Sequence, residues 1–220
     1  MDVVQARNRM VDGQVRTADV TDLRIIAAML ELPRERFVPP AKADLAYADL
    51  EIAVGGSPSP SRRLMRPRNL GKLIQAADIN ADDRVLDVGC TTGYGTAVLA
   101  RLAAEVVALD DDPALTAMAG KALADCGLDN VTVVTGPLAH GWPARGPYDV
   151  IVLEGASEVV PRTLFPQLTD GGRLVCIEGH GQACRAMLYV SAGGGVSGRS
   201  IFDCAAPLLP GFAEPPAFVF

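Results

Sequence analysis

The chain has 220 residues, 49% of them apolar, and a formal net charge of −6. That supplies a sizeable core for one domain, and the acidic balance excludes long-range attraction to nucleic acid or to an anionic membrane surface. Apolar stretches are too short to span a bilayer, no signal-peptide core accompanies Asp2, Arg7 and Arg9, and five cysteines without a C-x-x-C pair suit free thiols in a reducing cytoplasm. Residues 3–11 and 21–32 carry apolar side chains at three- and four-residue spacing, which predicts two helices, the second capped by Thr21 or Asp22. The proline-bearing run 32–40 ends the second helix. Gly, Ser and Pro dominate residues 55–61, arginines follow at 62, 63, 66 and 68, and a loop is expected before a helix at 69–77.

From Arg84 the pattern alternates. Strands are predicted at 84–88, 105–109, 131–135, 148–153 and 172–178, with helices at 93–102, 113–125 and 161–168. Such alternation builds a parallel sheet with helices on both faces. Two more strands, 186–191 and 198–205, joined through Gly193, Gly194 and Gly195, predict an antiparallel hairpin at the sheet's edge or tip. The expected fold is α/β: a doubly wound, mostly parallel sheet in one domain over 1–220. Residues 1–68 form an N-terminal helical cap and loop, 69–180 a ligand-binding core, and 181–220 a C-terminal β extension.

The chemistry concentrates where the first strand of that core ends. Asp87 is followed by Gly89, Cys90, a short polar turn, Gly93 and a helix start at Tyr94 and Gly95. Glycines let the backbone approach a ligand closely, and free N–H groups at a helix start favour electron-rich groups. Asp110, Asp111 and Asp112 close the next apolar run, where an acid is placed to accept hydrogen bonds from a ribose diol. The glycine spacing fits a dinucleotide fingerprint poorly, and Asp87 suits an amine-bearing ligand better than a diphosphate. S-adenosylmethionine, with its cationic amine and sulfonium, is the expected cofactor. Glu154 follows the fourth strand, where such folds line the substrate crevice. His140 and His180 lie too far apart for a metal site, so none is expected.

Longer strings make the chain similar to the protein-L-isoaspartate O-methyltransferases over roughly residues 8–212. Arg9-Met10-Val11-Asp12-Gly13-Gln14, Leu32-Pro33-Arg34-Glu35-Arg36-Phe37-Val38-Pro39 and Ala46-Tyr47-Ala48-Asp49 look like that family's N-terminal segments. Gly93-Tyr94-Gly95-Thr96-Ala97-Val98-Leu99-Ala100, Gly141-Trp142-Pro143, the run from Gln167 to Val175, and Phe202 with Pro207-Leu208 continue the likeness in order. The resemblance implies a Rossmann-like methyltransferase that esterifies the misplaced carboxylate of isoaspartyl residues in damaged peptides or proteins. It implies cofactor contacts at Asp87, Gly89, Cys90, Gly93, Asp110, Asp111, Pro137 and Leu138. It also puts the active-site loop at 56–67, with Ser61, Arg63 and Met65 at its chemistry. Two positions depart from the family: Met65 stands at a serine, with Arg63 at the neighbouring threonine, and Pro137 stands at an aspartate that contacts adenine. Those departures leave two other readings open, a silent relative that binds a protein partner through the arginine loop and a methyltransferase for another carboxylate.

Overall fold

A computed structural model describes residues 2–55 and 62–215. Helix α1 (Val3–Met10) starts where the Asp2 side chain accepts from the amides of Val4 and Gln5, and it continues into a wider turn over Val11–Val15. Helix α2 (Leu23–Glu31) is capped by Asp22, which accepts from the Arg24 amide. Two-residue strands β1 (Ile52–Ala53) and β2 (Arg63–Leu64) pair antiparallel. Helix α3 (Pro67–Ala76) follows, with proline in the first turn where its missing N–H is harmless.

The main sheet holds β3 (Arg84–Val88), β4 (Glu105–Asp110), β5 (Val131–Thr135), β6 (Tyr148–Ser157), β7 (Leu168–His180), β8 (Ala183–Ala192) and β9 (Gly195–Asp203). Their order is β5-β4-β3-β6-β7-β8-β9; the first five run parallel and the last two antiparallel. Helices α4 (Tyr94–Ala100) and α5 (Pro113–Asp125) make the crossovers on one side. The chain therefore builds outward from β3 in one direction and then, with β6, in the other. That reversal creates a crevice beyond the carboxyl ends of β3 and β6, where open α/β sheets take their ligands.

Strand alternation sorts the core into two layers. Val85, Val106, Val150 and Val152 face the N-terminal helices and α4, while Leu86, Val107, Ile151 and Leu153 face the opposite layer with Leu209 and Phe212. The predicted strands at 84–88 and 131–135 and the helix at 113–125 match in extent, and 105–109 gains only Asp110. The 161–168 helix does not form: only a 3₁₀ turn, Phe165–Gln167, precedes β7. Pro161 and Pro166 remove backbone donors, and the Gln167 side chain turns away to bond the Trp142 amide (2.9 Å) and the His140 carbonyl (2.9 Å). The β8–β9 hairpin is longer than its apolar runs, because its ladder continues through exposed residues from Gly195 to Gly198.

The N-terminal helices are tied to the crevice by a buried cation. Arg34 donates from Nε to the Ala46 carbonyl (2.8 Å) and from Nη2 to the Met65 carbonyl (2.7 Å), with its guanidinium 4.5 Å from the Tyr94 ring centre. Thr92 adds a hydroxyl bond to the Phe37 carbonyl. Arg34→Met is expected to strand two buried carbonyls and cost about 3 kcal/mol in urea unfolding. A loss below about 1 kcal/mol would show that solvent reaches these carbonyls once the guanidinium is gone.

Candidate active site

Three acids lie on one face of three neighbouring strands, β4, β3 and β6, at the crevice. Asp87 lies opposite Ala108 in β4 and Val152 in β6. Asp110 and Glu154 each sit two residues beyond those partners, so the two-residue period of a strand turns all three carboxyls the same way. All three are buried.

Asp110 Oδ2 accepts from the Thr91 amide (2.8 Å) and from Arg62 Nη2 (2.8 Å), and Oδ1 accepts from the Asp112 amide (3.2 Å). Burial pushes its carboxyl up to about 6, opposed by Arg62. Asp111 takes Arg62 Nη1 at 3.3 Å, and Asp112 caps α5 by accepting from the Ala114 amide. Asp87 Oδ2 accepts from Thr96 Oγ1 at 2.6 Å, and burial pushes this carboxyl up to about 7. Burial, followed by the charge of the neighbouring Asp87, drives Glu154 well above the usual carboxylate range. One oxygen of each, Asp87 Oδ1 and Glu154 Oε1, has no donor among the described residues.

Between β3 and α4 the backbone turns through Gly89 (φ +84), Thr91 (φ +51) and Gly93 (φ +90). Thr91 is the costly member, a β-branched residue in left-handed backbone, and its buried Oγ1 has no partner. Burial drives the Cys90 thiol well above its ordinary value, so it stays protonated and poorly nucleophilic. Gly89 is roofed by two side chains from distant parts of the chain. A Cβ there would lie 2.8 Å from Leu209 and 3.2 Å from Arg62 Nη2, and one on Gly155 would lie 2.7 Å from Leu209. The Leu209 amide donates to the Ala156 carbonyl (2.8 Å), which fixes this roof on β6.

A sequence profile of the family described as protein-L-isoaspartate(D-aspartate) O-methyltransferase matches residues 5–199. Protein-L-isoaspartate O-methyltransferase 1 of Rhodopseudomonas palustris (strain HaA2) is 38% identical over 185 residues, 84% of this chain and 74% of its own. That of Methanoregula boonei is 39% identical over 169 residues, covering 77% and 76%. The chain belongs to this family. Among solved structures, a protein-L-isoaspartate O-methyltransferase superposes with a TM-score of 0.80 at 25% identity; 93% of this chain spans 66% of that one. A putative family member from Plasmodium falciparum, solved in complex with S-adenosyl-L-homocysteine, gives 0.75 at 16% identity over 92% and 97%, a likeness of fold.

The donor set of this family member fits S-adenosylmethionine, the cofactor of the family. Asp87 offers a buried free oxygen to a cation, Asp110 a carboxylate to a diol, and Gly89 a backbone without a side chain. Arg62 bonds Asp110 and lies with Leu209 over Gly89, so a nucleoside placed there would have to displace Arg62. Leu138 is buried and Pro137 exposed just past β5, and the Gly136 amide donates to the Asp110 carbonyl (3.0 Å), which brings both to the tip of β4.

The arginine run is not the uniformly solvated patch its composition suggests. Arg62 is only 8% exposed, Arg68 pairs with Asp49 at 3.3 Å, and Arg63 is exposed beside Glu51 and Gln182 in a surface cavity of about 300 Å³. Met65 packs its side chain into the apolar core and contributes only its carbonyl to the Arg34 clamp. Ser61 and the rest of 56–61 lie outside the described residues. Sequence reasoning missed Thr96, Arg34 and Leu209, and it did not separate Arg62 from its neighbours. A polar Thr in an apolar helix at 94–100 was the one local signal for Thr96; nothing local marks Leu209.

Proposed function

We propose that this chain transfers a methyl group from S-adenosylmethionine to the free carboxylate of L-isoaspartyl residues in damaged proteins, as a cytoplasmic repair enzyme. The observation that carries the reading is the pair Asp87 and Asp110, buried side by side at the switch point of a family sheet with Gly89 between them. When bound, the cofactor supplies an electrophilic methyl on a sulfonium. Asp87 holds the amine end, Asp110 accepts from the ribose hydroxyls once Arg62 has left it, and the bare backbone at Gly89 admits the ligand. The acceptor carboxylate is ionised at neutral pH, so the protein needs to position it and exclude water rather than deprotonate it. Among the described residues no helix is long and apolar enough to cross a membrane, and all five cysteines are free, which supports the cytoplasmic reading.

Radiolabelled methyl transfer to an isoaspartyl peptide, with its normal aspartyl counterpart as control, tests the activity. Transfer to the isoaspartyl peptide alone is expected. S-adenosylhomocysteine binding by calorimetry tests the site: Asp110→Ala should weaken it at least tenfold, because a charged acceptor for two hydroxyls is lost. Pro137→Asp, at an exposed position, should tighten it several-fold by adding an acceptor. Arg62 on Asp110 favours one rival, a catalytically silent relative that binds a protein partner through the arginine loop. Absence of any cofactor binding by the wild-type protein would establish that rival.

A further inference from the structure

Asp87 and Glu154 pose a problem of hydrogen-bond accounting. They stand on the same face of the paired strands β3 and β6, two residues apart in register and 0% and 3% exposed, and each keeps an oxygen without a donor among the described residues. Two ionised carboxylates cannot satisfy one another, because each only accepts; a proton or a cation between them satisfies both. The position is enforced by packing. A Cβ on Gly95 would fall inside the Glu154 carboxyl, so the bare Cα at the start of α4 is what lets this acid lie against Asp87.

We infer that Glu154 is a second acidic ligand for the cofactor's ammonium end, and that Asp87 and Glu154 share one proton in the free protein and release it when that cation binds. The inference rests on the methyltransferase reading and adds to it a residue and a proton.

The surroundings favour the exchange. On β4, Asp110 adds negative charge, and its neutralisation by Arg62 belongs to the free state. Arg34, from the N-terminal segment, is the cation acting on Glu154; its Nε and Nη2 are committed to two carbonyls, and its buried Nη1 has no partner among the described residues. On α4, Thr96 donates to Asp87, and the Tyr94 phenol stays neutral because burial raises it. The Cys90 thiol in the Gly turn is neutral for the same reason. Once Arg62 leaves Asp110 for the ribose to enter, the three acids lose the cation that neutralised Asp110, and an incoming ammonium replaces the shared proton. The balance is one proton to solvent per ammonium bound, with no bond to carbon made or broken.

The test uses two nucleosides and the full chain. S-adenosylhomocysteine carries the amino-acid end; methylthioadenosine carries the same nucleoside without it. Calorimetry near pH 7 in two buffers of different ionisation enthalpy counts the protons released. The expected result is close to one proton for S-adenosylhomocysteine and none for methylthioadenosine. The affinity of the first should then fall towards tenfold per pH unit on acidification below about pH 7, while that of the second stays flat until about pH 6, where Asp110 itself takes up a proton. In the free protein, infrared spectroscopy should show a protonated carboxyl band that Glu154→Gln removes. The same variant should cut the proton count and flatten the pH profile while still donating to Asp87. Binding of both nucleosides with no proton release, or an infrared band unaltered by Glu154→Gln, overturns the inference and leaves the methyltransferase reading standing. Binding of neither nucleoside overturns both.

Discussion

Arg62→Ala should make the free protein less stable and its cofactor binding tighter. In the free state Arg62 holds Asp110 at 2.8 Å and Asp111 at 3.3 Å, with the first contact buried. Removing one partner of a buried ion pair leaves an uncompensated charge and costs about 3 kcal/mol. The same substitution removes the group that a ribose must displace and part of the roof over Gly89. A gain of about tenfold or more in S-adenosylhomocysteine affinity is expected by calorimetry, alongside a lower urea midpoint. Weaker binding would mean that Arg62 stays in place and supports the ligand. Arg62→Lys separates charge from shape: a lysine keeps the charge but cannot bridge Asp110 and Asp111 with a planar fork, so it should fall between the two.

The second large effect is on stability against pH, and its sign is opposite to that of ordinary ion-paired carboxylates. Burial raises Asp87 to about 7, Asp110 to about 6 and Glu154 well above its usual range. In the unfolded chain all three titrate near 4. The folded protein therefore holds protons that the unfolded chain has already released, and stability falls as pH rises from about 4 through 7. Their contribution is complete below the unfolded values and lost once the folded ones are passed. Between about pH 5 and 8 the loss should be on the order of 3 kcal/mol, read from urea unfolding at each pH. Asp22, lowered by its hydrogen bond to Arg24, works in the other direction but only at more acid pH. Glu154→Gln should reduce the slope and stabilise the protein at pH 8. Gly95→Ala should reduce it too, by forcing the Glu154 carboxyl away, although it replaces no titratable group. A flat profile in the wild type would mean that water reaches the three acids.

The parts of this site that were legible in the sequence are those set by period and punctuation. An apolar run reaching an acid with Gly89 two residues on announced Asp87, and an apolar run closed by three acids announced Asp110. Glu154 also ends an apolar run, Val150–Leu153, and precedes a glycine, and only the strand order β4-β3-β6 shows that it lands beside Asp87. Sheet order is a tertiary fact, decided by which crossovers pack, so no local window contains it. Arg62 illustrates a different limit. Composition makes a run of arginines look solvated, yet a short ladder between Ile52 and Leu64 swings the first of them under the roof while the next stays outside. Met65 shows that a resemblance locates a position but not an environment: its side chain is core, and its carbonyl alone faces a functional group. The failed helix at 161–168 had apolar residues at helical spacing, and two prolines with a competing Gln167 bond decided against it.

Leu209 also sets an order of events during synthesis. Gly89, just past β3, and Gly155, in β6, leave the ribosome well before the residue that covers them, and at cellular elongation rates the interval from Gly155 is on the order of 3 to 10 s and that from Gly89 about twice as long. Through that time the crevice can assemble with Asp87, Asp110 and Glu154 in place and half of its cover still unmade. A nascent chain therefore passes through a period of easier access to nucleoside than the finished protein enjoys. A cofactor bound in that period would be enclosed by the arriving segment rather than having to lift it.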